Sequence, residues 1–119
     1  MKMIASRAGT KVFYLLGLLF FYTQCAQANP EDQKAFAIAK QNACLGCHAV
    51  NKKIVGPSFQ SVAQKYKNDP NAQVFLKNKI AKGGAGSWGV VPMPANAKLT
   101  DTELSLLAAW VLRGAPSEN

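Results

Sequence analysis

The sequence predicts an all-α domain of about four helices. Three observations lead there. Four segments place apolar residues at helical spacing between recognisable start and stop signals. No stretch alternates as a strand does, and Val90-Val91 is a two-residue run bounded by glycine and proline. Two long connections, about 43–57 and 83–99, are too long to be plain turns in so small a domain. A short helical chain with that much irregular structure needs something extra in its core.

The chain has 119 residues, and the first 28 are set apart from the rest. Lys2, Arg7 and Lys11 precede an apolar run, Val12 to Tyr22, and small residues at Ala26 and Ala28 follow. This is the layout of a secretory signal peptide, with cleavage expected after Ala28. The run is about half the ~20 apolar residues that a bilayer span requires, so no stable membrane insertion is expected after cleavage. Gln24 is a poor neighbour for lipid attachment at Cys25, and no twin-arginine pair is present, so export as an unfolded chain is expected. The domain is then 29–119. The first helix is expected over about 30–42, with Asn29 as cap, Pro30 at the first helical position and Glu31 and Asp32 in the first turn. Phe36, Ile38 and Ala39 give it an apolar face. The second covers about 58–65, with Phe59, Val62, Ala63 and Tyr66 on one side. The third starts after Asp69-Pro70, a cap followed by proline, and carries Val74, Leu76 and Ile80 to about Lys82, where Gly83-Gly84 stops it. The fourth opens at Thr100 with Glu103 three residues on, which is capping-box spacing. Leu104, Leu107, Ala108 and Val111 follow on one face with Trp110 nearby, and Gly114 and Pro116 end it.

Without the leader, 14 basic and six acidic residues become 11 and six, a net charge of +5 spread along the chain. That favours acidic protein surfaces or anionic membranes. No nucleic-acid partner is expected of an exported chain. Two cysteines remain, Cys44 and Cys47, and the next residue, His48, is the sequence's one histidine.

The stretch Cys44-Leu45-Gly46-Cys47-His48 has the C-x-x-C-H spacing of covalent c-type haem attachment. Two thiols at this separation can add to the two vinyl groups of one macrocycle, and the histidine that follows can meet its iron. A thioredoxin-like pair would use C-x-x-C too, but needs a βαβ setting not found here. A zinc site needs a fourth ligand beyond these three, and the remaining chain offers no further cysteine or histidine. A plain disulfide beside an incidental histidine would use the same cysteines.

Met93 is the methionine left once Met1 and Met3 depart, and it stands between Pro92 and Pro94. Both prolines fix φ and hold the preceding residue extended, so Val91 and Met93 lie in a stiff strap. A methionine used as core filler ordinarily sits on a helix among other apolar residues. One held still in a loop suits ligation of iron opposite His48, because His/Met is the cytochrome c ligand set and a soft thioether favours the ferrous state.

These stretches, with "VGPSF", "GGAGSWGVVPMPAN" and the final "LAAWVL", resemble the short-chain bacterial class I cytochromes c, the c-551/c-552 group. The resemblance covers nearly all of Glu31 to Leu112. It implies a small cytochrome c fold, about four helices wrapped around one haem c attached through Cys44 and Cys47, with His48 and Met93 on the iron. It further implies that the Pro57 carbonyl accepts from the other ring nitrogen of His48, and that Asn96 hydrogen-bonds near the methionine sulfur. Trp88 would donate to a haem propionate, with Lys79 neutralising that charge. The family often has arginine there, so a point charge replaces a fork. One residue is added around Lys98. Gly84 to Gly89 also matches G-x-G-x-x-G, but a dinucleotide fingerprint follows a strand and opens a helix. This one follows a helix and enters a proline strap, where its glycines would let the backbone pass close to the haem edge.

The expected function is that of a monomeric periplasmic electron carrier, not an enzyme. It would pass one electron between respiratory donors and acceptor reductases or oxidases. Leu45, Gly46, Ile54, Val55 and Pro94 would form an apolar docking patch, ringed by Lys40, Lys52, Lys53 and Lys82 facing acidic redox partners. The alternatives are a small haem enzyme or gas-binding protein, which needs an open iron position, and a dedicated subunit of a larger redox complex.

Overall fold

The computed structural model describes residues 29–116. The leader, its apolar run and the cleavage site lie outside the described residues. Within 29–116 there are four α-helices, α1 (Pro30–Gln41), α2 (Phe59–Tyr66), α3 (Ala72–Lys82) and α4 (Asp101–Leu112), with a 3-10 turn at Cys44–Gly46. None of these helices is long and apolar enough to cross a membrane.

Local chemistry starts each helix where the sequence places it, with one exception. The Asn29 side chain accepts from the Glu31 N–H, and Pro30 needs no partner for a missing donor. Ser58 Oγ accepts from the Ser61 N–H at 3.0 Å to open α2. Thr100 and Glu103 form the expected reciprocal capping box on α4. The exception is α3, which begins at Ala72 and not directly after Pro70. Asp69 Oδ1 is spent on the Asn71 N–H at 2.8 Å, and the Ala72 N–H bonds the Asp69 carbonyl. Residues 69–72 are thus closed as a turn before the helix starts.

The last helix is the hub, packing against α1, α2 and α3. Leu104, Leu107, Ala108, Trp110 and Val111 are its buried residues. Leu107, Ala108, Trp110 and Val111 join one core with Ala35, Ile38 and Ala39 of α1, Phe59 and Val62 of α2, and Leu76 of α3. Val74 of α3 points outward and is 61% exposed. Trp110 is fully buried, and its indole N–H donates to the Pro116 carbonyl at 3.1 Å. Phe36 and Phe59 lie edge-on to it, with ring centroids 6.3 and 5.1 Å away. Polar bonds fasten the edges. Arg113 pairs with Asp32 across α4 and α1, Lys77 pairs with Asp101, and Gln73 Nε2 donates to the Ser105 carbonyl at 2.8 Å.

Two outcomes follow. Leu107→Ala removes a 3%-exposed side chain from the hub and should lower stability by about 2–5 kcal/mol in denaturant unfolding. The Thr100 backbone N–H, with help from its hydroxyl, bonds the Glu103 carboxylate and holds its pKa below the usual glutamate value. A depressed pKa means that the cap contributes fully above the unfolded-state value and is lost as pH falls through the folded one. Thermal midpoints followed from neutral into acid pH should therefore fall less steeply in Glu103→Gln than in the parent.

Candidate cofactor-binding site

The helices close around only part of the core. Beside it lies a cavity of about 830 Å³, walled by α2, α3 and α4 and by the two long connections. Cys44, Cys47, His48, Pro57, Lys79, Trp88, Met93 and Asn96 all line it. The structure thus gathers every site residue singled out from the sequence onto one surface.

The C-x-x-C-H stretch enters through the 3-10 turn, introduced by Ala43 in the left-handed region at φ 57°. The His48 N–H returns to the Cys44 carbonyl at 3.0 Å. Cys44 and Cys47 are half-buried free thiols, and burial pushes the Cys44 thiol up. From Cys47 the chain folds back on itself. The Gly56 N–H donates to the Cys47 carbonyl at 2.8 Å, and the Phe59 N–H to the Ala49 carbonyl at 3.0 Å. That return places the Pro57 carbonyl 2.7 Å from His48 Nδ1. A carbonyl can only accept, so Nδ1 carries the proton. In the neutral ring Nε2 then keeps a free lone pair for a metal. The imidazole also stacks on Phe59, 5.3 Å between centroids and 20° between planes. Gly56 leaves room for it, since a Cβ there would stand 2.4 Å from His48 Cε1.

The strap carrying Met93 is fastened by more than its prolines. The Gly84 N–H donates to the Met93 carbonyl at 2.9 Å, and the Met93 N–H to the Gly84 carbonyl at 3.1 Å. Gly83 makes this crossing possible: its φ is +66°, and a Cβ would stand 2.3 Å from the Met93 carbonyl oxygen. Asn96 closes the strap against α3, with Nδ2 donating to the Ile80 carbonyl at 3.2 Å and the Pro94 carbonyl at 3.4 Å. Gly84 to Gly89 follows α3 and leads into the strap, which is the wrong setting for a dinucleotide. Its glycines take positive φ, and a Cβ at Gly86 or Gly89 would meet nothing within 4 Å. Their positive φ is the conformation that glycine supplies here, and both line the cavity.

The donor set suits haem c. Two free thiols, an imidazole with its tautomer set and a thioether share one cavity with Phe59, Val62, Leu76 and Ile80. Soft and nitrogen donors in an apolar hollow fit iron in a flat macrocycle. No cluster of three or more histidine, cysteine or acidic residues placed to hold a metal ion occurs among the described residues.

The family model for cytochrome c matches residues 33–114. The chain belongs to the cytochrome c family. It is 41% identical over 103 residues to cytochrome c-551 of Pseudomonas aeruginosa, covering 86% of this chain and 96% of that one. With cytochrome c-552 of Hydrogenobacter thermophilus it shares 47% over 75 residues, 63% of this chain and 76% of that one. The crystal structure of Nitrosomonas europaea cytochrome c552 superposes with a TM-score of 0.64 at 39% identity, over 66% of this chain and 98% of that one. The chain is therefore a class I cytochrome of the c-551/c-552 type with the all-α cytochrome c fold, a small electron carrier. Family membership implies a covalently bound haem c and redox partners.

Three contributors escaped the sequence reading. Gly56 and Gly83 act by leaving space, and Lys65 reaches the 83–95 loop from α2. Both glycines had a signal, Gly56 within "VGPSF" and Gly83 at the head of "GGAGSWGVVPMPAN", whereas Lys65 had none.

The geometry separates two glycines of one neighbourhood. Gly56→Ala should displace the His48 ring from Pro57, costing about 1–3 kcal/mol in unfolding and shifting the His48 Nδ1 proton resonance. Gly46→Ala, where a Cβ meets nothing within 4 Å, should leave both measurements near the parent values.

Proposed function

We propose that this cytochrome c is a periplasmic electron carrier whose haem c is bound through Cys44 and Cys47 and ligated by His48 and Met93. The observation that carries the reading is the convergence of both thiols, the imidazole and the strapped thioether on one cavity. When bound, the haem supplies a one-electron couple in which no bond is made or broken.

The protein's own residues have separate tasks. Pro57 holds the imidazole as the Nδ1–H tautomer and makes Nε2 the better donor. The Gly84–Met93 backbone pair and the two prolines keep the sulfur from wandering, which suits a carrier whose ligands should barely move between oxidation states. Trp88 and Lys79 are assigned to the cofactor's carboxylates; both line the cavity, with Lys79 in the last turn of α3. Asn96 is assigned to the methionine's surroundings, anchored through Ile80 and Pro94.

Cleavage after Ala28 would deliver 29–119 to the periplasm, where thioether attachment takes place. Lys40, Lys52, Lys53 and Lys82 are all exposed, as are Ile54, Val55 and Pro94. This pairing of cations with apolar surface supports docking to acidic faces of respiratory donors and of acceptor reductases or oxidases.

The test is a visible spectrum of the matured protein, oxidised and reduced, with and without carbon monoxide. A low-spin reduced spectrum indifferent to the gas is expected. A prompt shift on adding it would overturn ligation by Met93 and favour a ligand-binding or enzymatic role. Met93→Ala should lower the reduction potential and make the protein responsive to carbon monoxide. A variant with unchanged potential and no response would remove Met93 from the ligand set.

A further inference from the structure

The outer wall of the cavity is the loop 83–95, and its two ends and its tip are held very differently. The ends are pinned by backbone. The Gly83 N–H donates to the Lys79 carbonyl at 2.8 Å, Gly84 and Met93 exchange two bonds, and the Asn96 N–H reaches the Ile80 carbonyl at 3.2 Å. The tip, 85–91, bonds mainly to itself, through the Gly86 N–H to the Gly89 carbonyl at 2.8 Å. Val90 is 91% and Trp88 44% exposed. Among the described residues, one hydrogen bond joins this tip to the body of the domain. Lys65 Nζ, from the last turn of α2, donates to the Ser87 carbonyl at 2.6 Å. The same ammonium stands 4.4 Å from the centroid of the Trp88 ring. Ser87 and Trp88 line the cavity, whereas Lys65 does not.

We infer that Lys65 is a positioning residue, a charged latch that holds the loop tip against α2 and keeps Trp88 at the cavity rim. An ammonium suits both contacts. It makes a charge-assisted bond to a carbonyl and is attracted to the face of an indole, the strongest of the aromatic partners for a cation. Its grip bears on the haem in two ways, given the haem site proposed above. It fixes the rim against water entry, and it places a positive charge behind the cavity wall, which favours the reduced state.

The test uses the full haem-loaded protein and three variants: Lys65→Met, Lys65→Arg and, as a charge control, Lys67→Met. Lys67 is an exposed cation two residues on. Amide hydrogen exchange at Gly86 and the reduction potential are both read. Lys65→Met should speed Gly86 exchange by about 5- to 10-fold, as expected for losing one charge-assisted bond and a cation–π contact, and should lower the potential. Lys65→Arg, which keeps the charge and the contact with the ring, should restore both. Lys67→Met should leave Gly86 exchange unchanged. Parent-like exchange in Lys65→Met would overturn the latch. So would an equal fall in potential in Lys65→Met and Lys67→Met without a change in exchange, because that is bulk charge alone. The spectrum of the unsubstituted protein decides the haem ligands separately, so failure of that reading and failure of the latch give different results.

Discussion

The hydrogen bond between His48 Nδ1 and the Pro57 carbonyl organises the site. It requires the chain to leave His48, run outward and return nine residues later at Pro57, and the connection between them is built for that return. The same bond sets the tautomer, and therefore which nitrogen is free to donate. Gly56 exists in its present form because the ring needs the space. Phe59 follows at once as the first residue of α2 and supplies the flat surface on which the ring rests. One bond thus connects the attachment motif, the first long loop and the second helix.

The opposite side of the cavity is built on another physical basis. There the elements are backbone pairs and torsional stiffness, with little side-chain packing. Pro92 and Pro94 limit the strap from within, and Gly84 limits it from outside. Rigid joints at both ends leave a solvent-facing tip between them. The domain therefore holds its soft thioether firmly while much of the surrounding loop carries little burial of its own.

Much of this was legible in the sequence because its causes are local. Helix caps are read over three residues, and the Thr100–Glu103 box appears as expected. The C-x-x-C-H spacing is covalent reach, and a methionine between prolines advertises its own stiffness. What was not legible depends on distant partners or on backbone atoms. Lys65 and Ser87 lie 22 residues apart, and one contact is a carbonyl, which every residue possesses. The Gly84–Met93 pair likewise carries no side-chain signature. Asp69 looked like a helix cap because aspartate before proline does so commonly. Here its carboxylate serves a turn by accepting from the Asn71 N–H, and α3 opens one turn residue later.

The aromatic series Phe36, Trp110, Phe59 and His48 runs from the first helix through the last to the second and ends at the imidazole. Trp110 stands some 60 residues after His48 in the sequence, yet Phe59 joins the two, ring to ring. The seat of the imidazole is thus a long-range structure, whereas the C-x-x-C-H spacing is wholly local. A chain that has not folded already carries its attachment motif complete, while the surface behind the imidazole exists only once the last helix has docked.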